Sequence, residues 1–139
     1  MEVKLALLAD YANVTKEGKL NVMGVFTHIN APVFPWVHPQ MQLVLQLEAG
    51  PAEWETDKQL EIKLLDQDGI QILSIGGGLK VPKGQSGRRV QMQSIMSLVN
   101  VPFNTEGDYC FYVLIGGETK KEAPLQVNHI PPQQPNAKV

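Results

Sequence analysis

The sequence predicts an all-β protein, a single-domain β-sandwich of the immunoglobulin-like or Greek-key type with about eight strands. Three observations carry this. The stretch E-G-D-Y-C-F-Y-V-L-I-G-G-E, Glu106–Glu118, is filled with β-branched and aromatic residues and bounded by glycines. Met41–Leu47 alternates apolar and mostly polar residues at period two. Turn signals recur at short spacing, the clearest being Asp66-Gln67-Asp68-Gly69 between two apolar runs.

Taken in order, the chain opens on Val3, Leu5, Leu7 and Ala9 at period two, a first strand. A polar connection follows at Tyr11–Gly18, with Asn13, Thr15 and Gly18 as turn residues. Lys19–Ile29 reads as one second strand, and Gly24 inside it marks a bulge or a close backbone approach. Asn30–Gln40 carries Pro32, Pro35 and Pro39 and is expected to be irregular. Phe34 and Trp36 lie between these prolines. They either close the end of the core or form an exposed apolar loop for a partner. In Met41–Leu47, Met41, Leu43, Leu45 and Leu47 point inward and Gln42, Val44 and Gln46 outward.

Gly50–Asp57 is an acidic loop containing Trp54. Lys58–Leu65 and Ile70–Ile75 flank the Asp-Gly turn as a hairpin. Gly76–Arg89 holds five glycines and the cations Lys80, Lys83, Arg88 and Arg89, and is expected to be a mobile loop, with a short strand at Leu79–Val81 as an option. In Val90–Val101, Met92, Ile95, Met96 and Val99 fit helical spacing. A strand with a bulge near Ser94–Ser97 also fits and is favoured, because its neighbours are strands and Pro102 follows. In Glu106–Glu118, Tyr109, Phe111, Val113 and Ile115 share one face and Cys110, Tyr112 and Leu114 the other. Gly107-x-Tyr109 has the form of a tyrosine corner. Gly116-Gly117 turns into a last strand around Pro124–Ile130. The domain spans residues 1–130, and Pro131–Val139 reads as a disordered, polyproline-like tail.

Composition narrows the function. At 139 residues, 43% hydrophobic and 19% charged, the chain is long and apolar enough for its own core. A formal net charge of −2 argues against a dedicated nucleic-acid binder. One cysteine excludes an internal disulfide framework and fits a reducing compartment. The apolar run at Leu5–Ala9 is too short for a signal peptide and ends at Asp10. No run approaches the length of a membrane span.

No catalytic constellation emerges, so the chain is read as a non-enzyme without a cofactor. His28, His38 and His129 lack metal-ligand spacing. The lone Cys110 sits in an apolar strand without a base that spacing can name. Alternating strand directions would gather Asp66, Asp68, Glu106 and Asp108 at one end, a candidate Ca²⁺ or small-ligand site. The other end would gather Tyr11–Gly18, Gly50–Asp57, the Gly/Lys/Arg loop and the Gly116-Gly117 turn. The outward stripe Cys110, Tyr112 and Leu114, with Val44 expected on a neighbouring strand, is the candidate interface for a second copy or another protein.

The segment L-L-A-D-Y-A-N-V-T-x-x-G-K-L-N-V-M-G-V-F, Leu7–Phe26, together with G-x-Y-x-F-x-V at Gly107–Val113, resembles an uncharacterised bacterial family of small β-sandwich proteins, a domain of unknown function. The resemblance implies a bacterial cytoplasmic sandwich and brings no catalytic or ligand residues. The expected role is a protein-interaction or self-assembly module, with ligand binding at the acidic loop end as the alternative.

Overall fold

The computed structural model describes residues 1–131. The expected disordered tail therefore lies, from residue 132 onward, outside the described residues. Nine strands occur among the described residues: β1 Glu2–Val14, β2 Leu20–Phe26, β3 His28–Ala31, β4 Trp36–Ala49, β5 Asp57–Leu65, β6 Gln71–Lys80, β7 Val90–Phe103, β8 Gly107–Ile115 and β9 Glu118–His129. They form two sheets, β2-β1-β4-β7 (sheet I) and β3-β9-β8-β5-β6 (sheet II). Taking β4, β5, β7, β8 and β9 as strands B, C, E, F and G gives the immunoglobulin-like division, with B and E on one sheet and C, F and G on the other. The protein is an all-β sandwich of that type.

The core follows from period-two alternation. Met41, Leu43, Leu45 and Leu47 of β4 are fully buried against Ile62 and Leu64 of β5 and Phe111 and Val113 of β8. Each such side chain contributes about 1.5–3 kcal/mol relative to exposure. Tyr109 packs its ring edge-on against Phe103, with centroids 4.9 Å apart. Its hydroxyl donates to the Thr105 carbonyl at 2.7 Å. The tyrosine corner expected at the start of this strand is thus present.

Several elements depart from the sequence expectation. Lys19–Ile29 is two strands in different sheets. β2 pairs with β1, the chain crosses at Thr27, and β3 runs parallel to β9. This extra strand reverses the counting of loop ends. β1 runs from Glu2, opposite Glu48, to Ala9, opposite Gln42, so the β1–β2 turn lies toward the carboxylate loops. It does not join Gly50–Asp57 at the other end.

Asn30–Gln40 is also more regular than its prolines imply. β4 begins at Trp36 and continues through Pro39, pairing with β7 over its whole length. The reason is local. Pro39 and Asn100 occupy the one gap in that ladder, between His38 opposite Val101 and Gln40 opposite Val99, and Asn100 has φ +53. Proline lacks the N–H that this gap leaves unused. Inward positions change parity there, from Leu98 to Val101 on β7. Elsewhere the β4–β7 register is continuous, so Val90–Val101 is a strand without the expected bulge near Ser94–Ser97.

Gly24 meets its expectation. It has φ +69, and a Cβ there would lie 2.5 Å from Oδ2 of Asp10. Finally, β6 runs to Lys80, so Gly76–Gly78 belong to a strand rather than a loop. The loop that remains, residues 81–89, is tethered. Val81 is fully buried and exchanges backbone hydrogen bonds with Glu55 and Thr56 at 2.8 and 3.0 Å.

Candidate functional site

The expected interface divides between the two sheets. Cys110, Tyr112 and Leu114 are half-buried on the outer face of sheet II. In register beside them stand Pro124, Glu122 and Thr119 on β9 and Leu65, Lys63 and Glu61 on β5. The stripe is therefore narrow and interleaved with charge. Burial, and then the Glu122 carboxylate, push the Cys110 thiol above its ordinary value and keep it protonated near neutrality. The neighbouring Cys110, burial and Glu122 raise the Tyr112 hydroxyl.

Val44 does not lie beside this stripe. It is in sheet I, fully buried in a cluster with Ala9 and Ala12, against which Leu7, Leu20, Val22 and Ile95 pack. Residues of the chain's own β1–β2 hairpin, Leu7, Leu20 and Val22, pack over this cluster. Outward residues of two strands do not share a surface when the strands belong to different sheets, as β4 and β8 do.

Phe34 and Trp36 are also not an exposed loop. Both are half-buried and pack against the core, and the Phe34 ring lies 5.9 Å from that of His129. They close the end of the sandwich.

The four carboxylate residues do come together. Asp66, Asp68, Glu106 and Asp108 line one recess of about 20 Å³. Two of the four carboxylates, those of Asp66 and Glu106, already accept hydrogen bonds within local structure. Oδ1 of Asp66 accepts from the N–H groups of Asp68 and Ile70 at 2.9 and 2.8 Å, and Glu106 Oε2 accepts from the His129 N–H at 3.1 Å. Among the described residues, no group of three or more His, Cys, Asp or Glu is arranged to hold a metal ion.

A second recess, of about 300 Å³, opens where the chain crosses between sheets and brings together Asp10, Phe26, His28, Asn30 and His38. One ring nitrogen of His38, Nδ1, accepts from the Trp36 indole N–H at 3.4 Å. Burial lowers the pKa of His38 against the opposing pull of Asp10. No Ser, Thr, Cys, Lys or Tyr is among the residues lining this recess.

The site that sequence reasoning missed is the open edge between β6 and β7. These are the outer strands of different sheets, and among the described residues neither has a neighbour on its free side. Between them is a hollow of about 230 Å³, lined by Leu60 of β5, by Ile75, Gly76–Gly78 and Leu79 of β6, and by Ser94 and Met96 of β7. The inward positions of β6 follow from pairing with β5. Leu73 lies opposite Leu64, Ile75 opposite Ile62, and Gly77 opposite Leu60. Gly77 thus occupies a core-facing position without a side chain, and the hollow lies beneath it.

Nothing internal requires these glycines. None of Gly76, Gly77 and Gly78 has positive φ. A Cβ at Gly77 or Gly78 would meet nothing within 4 Å, and one at Gly76 would make ordinary contact with Gln59 at 3.6 Å. The β5–β6 register is unbroken from Asp57–Lys80 to Leu64–Leu73, so no bulge accounts for them. Glycine inside a strand weakens it, and one use that remains here is close approach by another backbone or ligand. The sequence signal was present. Leu73, Ile75 and Leu79 continue a period-two pattern through the glycines.

Among solved structures, similarity is found to the structure titled Pseudomonas fluorescens alkylpurine DNA glycosylase AlkC bound to DNA containing an abasic site analog, with 13% identity and a TM-score of 0.47. The match covers 87% of this chain and 30% of that one, so the chain spans under a third of that protein's length. An immunoglobulin-like protein from Pseudomonas aeruginosa matches with 14% identity and a TM-score of 0.42, over 91% of this chain and 95% of that one. Both scores are below 0.5, and nothing of those proteins' chemistry transfers. No curated protein matches. Residues 4–128 match the family model described as a family of unknown function, DUF6941, and the chain belongs to that family.

Proposed function

We propose that this protein is a non-enzymatic interaction module that takes up an extended segment of another polypeptide, a different protein or a second copy, as an added strand on the edge of β6. The supporting observation is the run Gly76–Gly78, exposed in a regular edge strand where neither φ nor packing demands glycine. Proteins ordinarily protect such edges with charges, prolines or bulges. From Gln71 to Leu79, β6 carries no charged residue and no proline. Added strands bind through backbone hydrogen bonds, with alternate side chains read by pockets. The hollow under Gly77 suits one such side chain.

In this reading the module acts inside a bacterial cell, in the cytoplasm. A single cysteine with a raised pKa fits a reducing compartment. Among the described residues, no helix is long and apolar enough to cross a membrane.

The test is amide chemical-shift mapping with a short, capped, uncharged peptide of alternating threonine and valine. Shifts concentrated on Leu73–Leu79 and on the facing part of β7 are expected. Shifts centred on Cys110, Tyr112 and Leu114 would move the interface to the outer face of sheet II, and absence of shifts would end the proposal. Sedimentation of the protein alone identifies the source of the strand. A dimer that Gly77→Val dissociates assigns it to a second copy.

A further inference from the structure

We infer that the segment taken up on β6 is acidic at the end lying beside Lys80, and that this charge sets its direction. The inference rests on the strand-addition reading and names the chemistry of the partner. β6 lies between opposite charges. It begins after the turn holding Asp66 and Asp68 and ends at Lys80, followed by Lys83 and Arg88. These three cations are exposed, and none forms an ion pair among the described residues. Asp57 lies opposite Lys80 in the β5–β6 ladder without closing one. Arg89 is different, because Glu48 and Glu2 engage it.

The backbone that carries Lys80 and Lys83 is anchored at two points. Beyond Lys80, Val81 is anchored to Glu55 and Thr56 through the backbone. Gly84 sits so close to Trp54 and Val90 that a Cβ there would lie 3.0 Å from the indole and would clash with Val90 Cγ2. A strand added antiparallel to β6 places its N-terminal end beside Lys80 and its C-terminal end toward Asp68. Complementarity then calls for aspartate or glutamate at the segment's N-terminal end, followed by alternating residues with a small apolar side chain over Gly77.

The test uses three capped peptides with the same threonine-valine core, carrying an aspartate run at the N-terminal end, the same run at the C-terminal end, or a lysine run at the N-terminal end. Each is titrated by fluorescence anisotropy against the wild-type protein, Gly77→Val, and the Lys80→Glu/Lys83→Glu/Arg88→Glu variant. Circular dichroism confirms that the variants fold. For wild type, the N-terminal aspartate peptide is expected to bind about tenfold more tightly than the lysine peptide. The advantage should shrink at high salt and invert in the charge-reversed variant. Gly77→Val should abolish all binding.

If the three peptides bind wild type equally and Gly77→Val still abolishes binding, the charge inference fails and strand addition stands. A preference for the C-terminal aspartate peptide overturns the antiparallel direction. If the acidic peptide binds Gly77→Val unchanged, the basic loop attracts it without the edge, and both readings fail. Displacement of the peptide by an equimolar single-stranded oligonucleotide would assign the cations to nucleic acid and overturn the inference.

Discussion

Tyr109 holds the turn before β8 through one bond, its hydroxyl donating to the Thr105 carbonyl four residues upstream. Tyr109→Phe keeps the ring against Phe103 and removes only that bond. A loss of about 1 kcal/mol with an unchanged urea m-value is expected. Gly24 tests a different constraint. Gly24→Ala places a Cβ against Asp10 and forces a non-glycine residue into positive φ. The backbone term alone is about 1–2 kcal/mol, and Asp10→Ala in the same chain should restore only the steric part. Both positions were legible because each is local, a tyrosine two residues after a glycine and a glycine inside a strand. Val44 was not, because which sheet covers an outward residue depends on partners far away in sequence. His38 also belongs to this scale. Its folded pKa lies below the ordinary 6.5 because of burial, so the unfolded chain binds the proton more readily. Its contribution is complete above pH 6.5 and is lost as pH falls through the depressed folded value. His38→Gln should flatten the fall in Tm on acidification below pH 6.5, and an unchanged slope would show that another group carries it.

Among the elements, β6 and β4 show why composition misleads about strands. Glycine and proline disfavour strands intrinsically, so Gly76–Gly78 read as loop and Asn30–Gln40 as irregular. Pairing overrode the preference in both. β5 supplies a continuous ladder for the glycines, and the β4–β7 ladder leaves its one gap where Pro39 stands. The strand extents were therefore hidden, although the inward alternation of Met41–Leu47 and Tyr109–Ile115 was readable and correct. The glycines of β6 carry a specific expectation. Gly77→Ala should stabilise the protein by about 0.5–1 kcal/mol in thermal or urea unfolding. Stabilisation by replacing glycine in a folded strand means that its presence serves something other than the fold.

At the scale of the molecule, two sheets share one core, and each leaves free edges. The sandwich class was legible from alternation and turn spacing. The grouping of loops was only partly legible, because the crossing at Thr27 added a strand and changed the count. The carboxylate loops were correctly placed together, whereas Tyr11–Gly18 was placed at the wrong end. The period-two pattern through the glycines was readable in the sequence, but the hollow was not, since it exists only where the free edges of β6 and β7 lie beside one another. The most direct test of its role is to replace Gly76, Gly77 and Gly78 together by threonine and measure both thermal stability and binding of the threonine-valine peptide. Stability should rise by about 1.5–3 kcal/mol, seen as an increase of several degrees in Tm, while peptide binding is lost. A variant that melts lower than wild type yet still binds the peptide would contradict the account.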